Sequence, residues 1–120
     1  MKANKNKAIY LALTSALVLG STQVLAAGGN TAYGAGALIS VTSGQNNSAF
    51  GEEALKLDTI GSWNTASGNS ALRDNTAGFQ NTANGHVSLV LNTSGSNNTA
   101  SGYASLSSNT TGDHNTASGS

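Results

Sequence analysis

The sequence predicts an all-β protein, a parallel β-solenoid of 17-residue coils that follows an N-terminal signal peptide. Three observations lead to this prediction. The tripeptide Asn-Thr-Ala (Asn-Ser-Ala once) recurs at one constant interval from Asn30 to Asn115, without an insertion or a deletion. The composition of the 120 residues, with 15 glycines and neither proline nor cysteine, is rich in residues that favour turns over helices. The chain also begins with a charged segment that is followed by a short apolar one.

The N-terminal segment has the three parts of a secretory signal peptide. Residues 1–7 contain three lysines, and residues 8–20 form an apolar run that is shorter than the ~20 residues that span a bilayer. Small residues follow at the end of the segment, within 24–27. We therefore predict a signal peptide over residues 1–26, with cleavage after Ala26 or alternatively after Ala27. The remaining chain is expected to be exported, to the cell surface, the outer membrane or the medium, and to contain no membrane span.

The exported part is expected to consist of a short leader, 27–29, and a repeat region, 30–120. Five full repeats cover 30–46, 47–63, 64–80, 81–97 and 98–114, and a truncated sixth covers 115–120. Glycine recurs at two positions of the unit, which we interpret as turn glycines: Gly34, Gly51, Gly68, Gly85 and Gly102 at the first, Gly44, Gly61, Gly78, Gly95 and Gly112 at the second. Several columns that keep one period indicate a repeat architecture, and a unit of this length is too short for a helix pair.

A constant interval without insertions fits a solenoid in which each coil lies over the previous one. We expect two short strands and two turns per coil, with one strand over Asn-Thr-Ala-x and another over the Ala-Leu pair. Identical residues would then form ladders along the stack, Asn over Asn and Thr over Thr. Because alternate strand residues face opposite sides, the threonine of the tripeptide should point outward. This possible outward ladder comprises Thr31, Thr65, Thr82, Thr99 and Thr116, with Ser48 in the second repeat.

Leucine recurs once in each full repeat, and we predict that this column forms the repeat core and the contact between chains. The column comprises Leu38, Leu55, Leu72, Leu89 and Leu106. Burying one leucine contributes about 1.5–3 kcal/mol, which is small beside the conformational entropy lost when a whole coil becomes ordered. We therefore expect the leucines to be buried between the chains of a symmetric homo-oligomer.

Two motifs resemble the head repeats of trimeric autotransporter adhesins of the YadA-like type. They are Asn-Thr-Ala-Ser-Gly at 64–68, 98–102 and 115–119, and Ala-Leu-x-x-Asn-Thr-x-Gly at 71–78. The resemblance covers residues 30–120. It implies a left-handed parallel β-roll, a homotrimer, and a bacterial surface protein that attaches to host cells or to a protein of the extracellular matrix, with a role in virulence.

The ionisable residues argue against several other classes of protein. From Ala27 onward two basic residues stand against five acidic ones, a net charge of −3 that disfavours nucleic-acid binding. Glu52, Glu53 and Asp58 are interpreted as a solubility patch rather than as paired catalytic carboxylates. We predict no catalytic residue, no metal and no cofactor, and the protein is not expected to be an enzyme.

The histidines and the large aromatic residues are expected to have structural roles in turns and in packing. Asp113 and His114, which lie near Ser118 and Ser120, are interpreted as solvated turn residues rather than as a hydrolytic set. His86 and His114 occupy different columns, so a ladder of metal-binding histidines is not expected. Trp63 and Phe79 are expected to pack against another chain.

Two further functions stay open beside adhesion. The outward threonine ladder could match an ice or crystal lattice, although it is one residue wide. The repeats could also form a purely structural segment of a fibre.

Overall fold

The computed structural model describes residues 27–120, so the predicted signal peptide lies outside the described residues. A short 3₁₀ turn, Ala27–Gly29, precedes six strands that form one sheet in sequence order. The strands are β1 Thr31–Tyr33, β2 Ser48–Phe50, β3 Thr65–Ser67, β4 Thr82–Asn84, β5 Thr99–Ser101 and β6 Thr116–Ser118. All neighbouring strands run parallel. The predicted all-β parallel solenoid is thus confirmed.

The spacing of the sequence repeat is the length of one coil. In the first pair of strands Thr31 lies beside Ser48 and Ala32 beside Ala49, and each later pair keeps the same offset. We number the coils 1 to 6, beginning at Asn30, so that coil 2 starts at Asn47. Identical positions of the repeat therefore lie side by side along the solenoid axis, about 4.8 Å apart.

Each described coil contains one strand rather than two, and the expected strand over the Ala-Leu pair is wrong. In coil 2 the segment forms overlapping turns instead, in which Ala54 N–H donates to Gly51 O (3.3 Å) and Lys56 N–H to Glu53 O (3.2 Å). The third residues of these turns, Glu53 and Leu55, have φ of +57° and +50°, as in type II turns. An extended strand cannot contain residues in this left-handed region, even though the segment still bonds to the next coil.

The leucine column lies inside its own chain. The side chains of Leu38, Leu55, Leu72 and Leu89 are fully buried, and partly buried Leu106 packs against the same core. The expected position of these leucines between chains is therefore wrong, whereas their place in the repeat core is confirmed. The turns at positive φ bend the Ala-Leu segment back over the sheet, so that the leucines pack in one cluster with the buried strand alanines.

The two glycine columns are required for different reasons. Gly51, in the first column, has φ of +130°, and a Cβ atom there would lie 2.6 Å from the carbonyl oxygen of Gly68 in the next coil. Gly61, in the second column, has no positive φ, but its Cβ atom would lie 2.6 Å from Gly78 O. Glycine is thus required in the first column both by the positive φ and by the lack of room for a Cβ atom, and in the second column by the lack of room alone.

The predicted asparagine ladder runs through the interior along the first residue of each coil. Asn64 is typical: its backbone N–H donates to Oδ1 of Asn47 (2.9 Å), and its Nδ2 donates to Gly78 O (2.8 Å). Each buried asparagine side chain therefore provides hydrogen-bond partners for two backbone groups, an N–H of the next coil and a carbonyl oxygen of the second turn, which solvent cannot reach. The threonines at the second turn form a ladder as well, since Thr59 Oγ1 donates to Thr76 O (3.0 Å).

Candidate binding surface

The outer face of the sheet carries the threonine column predicted from the sequence. Thr31, Thr65, Thr82, Thr99 and Thr116 are exposed, and Ser48 is half-buried at the corresponding place in coil 2. Every strand shows this outward residue, followed by an alanine that faces the core. The predicted outward direction of the ladder is confirmed. Its hydroxyl groups repeat at the interval of the coils, since the strand pairing is in register throughout.

A second outward column, which the sequence analysis missed, lies two residues further along each strand. It comprises Tyr33, Phe50, Ser67, Asn84, Ser101 and Ser118, all of which are exposed. The alternation that placed the threonines outward applies equally to this position and would have identified it. The outer face is therefore two residues wide. Its first column carries hydroxyl residues throughout, and its second column is aromatic in coils 1 and 2 and polar from coil 3 onward.

Asp58 is not part of a surface patch, so the interpretation of this residue as solubilising is wrong. Its side chain is fully buried; Oδ2 accepts a hydrogen bond from Asn47 Nδ2 (3.1 Å), and Oδ1 accepts one from Asn75 Nδ2 (2.9 Å). Burial raises the pKa of Asp58 to about 7, against the opposing effect of hydrogen bonds from Asn75 and from the backbone of Gly61. Glu52, by contrast, is exposed.

Charged side chains form pairs on the segment that follows the Ala-Leu turn. Lys56 Nζ lies 2.6 Å from Glu53 Oε1, and Arg73 Nε lies 2.7 Å from Asp74 Oδ1. The guanidinium of Arg73 also donates to Asp74 Oδ2 (3.1 Å), and this pairing raises the pKa of Arg73. Both pairs are partly exposed, so their contribution to stability is small.

The residues considered for hydrolysis take part in the packing of turns. Asp113 Oδ1 accepts a hydrogen bond from the backbone N–H of Ser96 (2.6 Å), and the backbone N–H of His114 donates to Ser96 O (3.0 Å). The rings of His86 and Tyr103 are tilted by 49° to each other, with a centroid distance of 5.5 Å. Among residues 27–120 no three His, Asp or Glu side chains are grouped so that they could hold a metal ion.

Several large apolar side chains lie on the outside of the described coils. The most exposed are Tyr103 (60%), Trp63 (60%) and Ile60 (57%). Others that are at least two-fifths exposed are Tyr33, Ile39, Phe50, Leu57, Phe79 and Leu91. The expected packing of Trp63 and Phe79 against another chain stays a prediction. The inward positions hold alanine, glycine, leucine or asparagine and are the same in nearly every coil, so the differences between coils lie mainly on the surface.

Comparison with protein-family models, with curated proteins and with solved structures gives no match to this chain. The likeness to YadA-like head repeats therefore depends on the sequence motifs alone. The left-handed sense of the coils and the assembly of three chains, both implied by that likeness, stay predictions.

The described residues form no helix of the length and apolar character that crossing a membrane requires.

Proposed function

We propose that this protein is an exported bacterial surface protein whose solenoid is the head of a homotrimeric adhesin and attaches to host cells or to the extracellular matrix. The observation that carries the proposal is the set of large exposed apolar side chains, on a scaffold whose interior hydrogen bonds are made by its own repeats. Exposed apolar side chains that the fold does not use are typical of interaction surfaces. The signal-peptide pattern and the resemblance to adhesin heads support the same function.

The contact between chains is proposed to involve exposed apolar residues on the segment that follows the Ala-Leu turn, rather than the leucine core. Leu57 and Leu91 are 43% and 42% exposed and share one column, in which coils 1 and 5 carry Ser40 and Ser108. A variant with Leu57→Ser and Leu91→Ser therefore uses residues that this column already accepts. We expect the wild-type chain to sediment as a trimer and the double variant to dissociate in analytical ultracentrifugation.

Attachment is tested with the purified exported chain on immobilised matrix proteins and on cultured cells. We expect saturable retention, weakened when Thr65, Thr82 and Thr99 are replaced together by alanine. The matched control replaces three other exposed hydroxyl residues, Ser43, Ser94 and Thr111, which lie away from the sheet. Equal loss in both triple variants, or no retention of the wild type, would contradict attachment through the sheet face.

A second function, binding to an ice or crystal lattice, is favoured by one specific observation. The five outward threonines and Ser48 are in register over six strands, and the neighbouring outward column adds serine hydroxyls at three of its six positions, Ser67, Ser101 and Ser118. Thermal hysteresis of the purified chain, lost in the threonine triple variant, would support this function over adhesion. Absence of both retention and hysteresis would favour a structural fibre segment.

A further inference from the structure

We propose that the turn segment around Trp63 is a binding site for a neutral polysaccharide, with Trp63 and Phe79 stacking on sugar rings and carboxamide side chains bonding their hydroxyl groups. This inference rests on the proposed function of attachment and names the class of ligand. We call the surface formed by Trp63, Phe79, Ile60, Gln45, Asn46 and Gln80 the Trp63 face.

Trp63 combines an unfavourable backbone conformation with an exposed side chain. Trp63 has φ of +57°, in the left-handed region that bulky residues rarely adopt, and its side chain is 60% exposed. Leu55 has a similar φ of +50°, but its side chain is fully buried, so core packing offsets the unfavourable conformation. The exposed side chain of Trp63 has no such core packing, although its backbone N–H donates to Gln45 O (2.9 Å) like the other residues of the column. The turn requires this conformation in all five full repeats, since φ lies between +55° and +59° throughout the column. What is unusual in coil 2 is the bulky aromatic side chain placed on it, and such a residue in a sparsely populated backbone region points to a function.

The residues at the same position of the other coils show what the fold itself prefers. They are Asn46, Gln80, Asn97 and His114, all polar. Asparagine tolerates positive φ better than most residues because its side chain bonds locally. A tryptophan at this place in coil 2 therefore serves the surface rather than the turn.

Phe79 lies beside Trp63 on the next coil. The backbone N–H of Gln80, which follows Phe79, donates to the oxygen of Ser62, which precedes Trp63 (3.0 Å). Gln80 thus continues the column of Trp63, and Phe79 continues that of Ser62, about 4.8 Å along the axis. Two aromatic side chains, 60% and 46% exposed, consequently occupy neighbouring columns of neighbouring coils. Aromatic rings offer a flat apolar platform for the C–H face of a sugar.

The charge of this surface selects a neutral ligand. Segments 43–46, 60–63, 77–80 and 94–97 contain no ionisable side chain over four successive coils. Exposed amides lie around the aromatic pair, at Gln45, Asn46 and Gln80. Each carboxamide offers both a donor and an acceptor, which suits sugar hydroxyl groups. An anionic glycan would find no cation here, because the paired cations Lys56 and Arg73 lie on the segment after the Ala-Leu turn.

The test uses fluorescence, since Trp63 is the one tryptophan of the protein. The exported full chain is titrated with oligosaccharides of glucose and of N-acetylglucosamine, and with heparin as the anionic probe. We expect a saturable change in emission with at least one neutral series and none with heparin. A response to heparin alone, or to no probe, would overturn the inference.

The decisive variant is Trp63→Asn, because asparagine occupies this position in coils 1 and 4. Its fold should be at least as stable as the wild type, while retention on the immobilised neutral polysaccharide falls about tenfold or more. The matched control is Tyr103→Asn, at a residue equally exposed, in a column where Asn69 already stands. Retention should be unchanged in this control, and equal loss in both variants would contradict a specific site.

Two outcomes separate this inference from the wider proposal. If Trp63→Asn converts an oligomer into a monomer and sugar binding is absent, the Trp63 face is a contact between copies and the inference is wrong. If the chain still attaches to cells whose glycans have been removed enzymatically, adhesion stands and the polysaccharide site does not.

Discussion

The side-chain amide of Asn75 donates a 2.9 Å hydrogen bond to Oδ1 of Asp58, which places a carboxyl group at the end of a chain of amides inside the solenoid. The same pattern links Asn109 Nδ2 to Asn92 Oδ1 (2.8 Å) and Asn92 Nδ2 to Asn75 Oδ1 (2.9 Å). Every amide of this second ladder donates toward the N-terminal coils. The corresponding residue of coil 1 is Val41, which cannot accept a hydrogen bond. An ionised carboxylate accepts hydrogen bonds and donates none. Asp58 can therefore accept from Asn75 without needing an acceptor of its own in coil 1, where Val41 offers none.

The buried carboxyl of Asp58 predicts that stability depends on pH. Because its pKa rises to about 7 from an ordinary value of 3.8, the folded chain holds a proton that the unfolded chain has released. This contribution to stability is complete below pH 3.8 and is lost as the pH rises to about 7. We expect the Tm to fall over this interval, with a limiting slope of about 1.4 kcal/mol per pH unit in unfolding free energy.

The matched variants for this prediction are Asp58→Asn and Glu52→Gln. Asparagine at position 58 can still accept from Asn75 and can donate to Gly61 O, as Asn75 donates to Gly78 O. Thermal melts followed by circular dichroism should show a flatter pH profile for Asp58→Asn and an unchanged one for Glu52→Gln. A wild-type Tm that rises between pH 4 and 7 would contradict the assignment.

The first asparagine ladder predicts a large cost for one lost amide. Asn64→Ala removes the acceptor of the buried Asn81 N–H (3.0 Å) and one of the two amide donors to Gly78 O, which keeps the 3.1 Å bond from Asn75 Nδ2. Leaving buried polar groups without partners costs about 1–3 kcal/mol each. We expect the unfolding free energy to fall by about 1–3 kcal/mol in denaturant titrations, because Asn81 N–H loses its partner, and by less than about 0.5 kcal/mol for the exposed Asn69→Ala. Similar losses in both variants would mean that Asn64 is not a structural ladder residue.

Strand register was predictable from the sequence, whereas the path of the chain between strands was not. The tripeptide beginning at Asn64 fixes both the strand and its pairing, because its alanine must face inward at every coil. Positive φ at Leu55 and Glu53 could not be inferred, since neither residue type prefers that conformation. The expected second strand and the expected place of the leucines between chains were both wrong for this one reason.

The second amide ladder was hidden by its two exceptions. Asn75, Asn92 and Asn109 recur at the interval of the repeat, but Asp58 and Val41 occupy the column in coils 2 and 1. Burial of Asp58 could still have been suspected, because it occupies a column of interior asparagines. The Trp63 face was harder to predict from the sequence, which shows only that these segments lack charge. The exposure of Trp63 and its positive φ become visible only in the structure.

A pair of glycines separates the effect of space from that of backbone conformation. Gly61→Ala would press its Cβ atom against Gly78 O at 2.6 Å, a backbone atom of the next coil. Gly36 has φ of +72°, but its Cβ atom would meet nothing nearer than Glu53 Cγ at 3.9 Å. Coil 5 already places Ala104 at the position of Gly36, with φ of +53°.

We therefore expect opposite outcomes for the two glycine variants. Gly61→Ala should lose several kcal/mol of stability or fail to fold, whereas Gly36→Ala should change the unfolding free energy by about 1 kcal/mol or less. Denaturant titration monitored by circular dichroism measures both. Tolerance of Gly61→Ala would show that the coils are stacked less closely than the structure places them.

The leucine core predicts that core variants lose stability independently of protein concentration. Leu72 is fully buried among the alanines and leucines of its own chain, so Leu72→Ala should cost about 2–5 kcal/mol through lost burial and a cavity. Leu91→Ala, at a side chain that is 42% exposed, should cost much less in the isolated chain. If leucines of this column instead packed between chains, dilution to the dissociated chain would remove the difference in Tm between wild type and Leu72→Ala, whereas a leucine core within each chain preserves that difference. Melting curves over a hundredfold range of concentration, with mass measured by light scattering, distinguish the two arrangements.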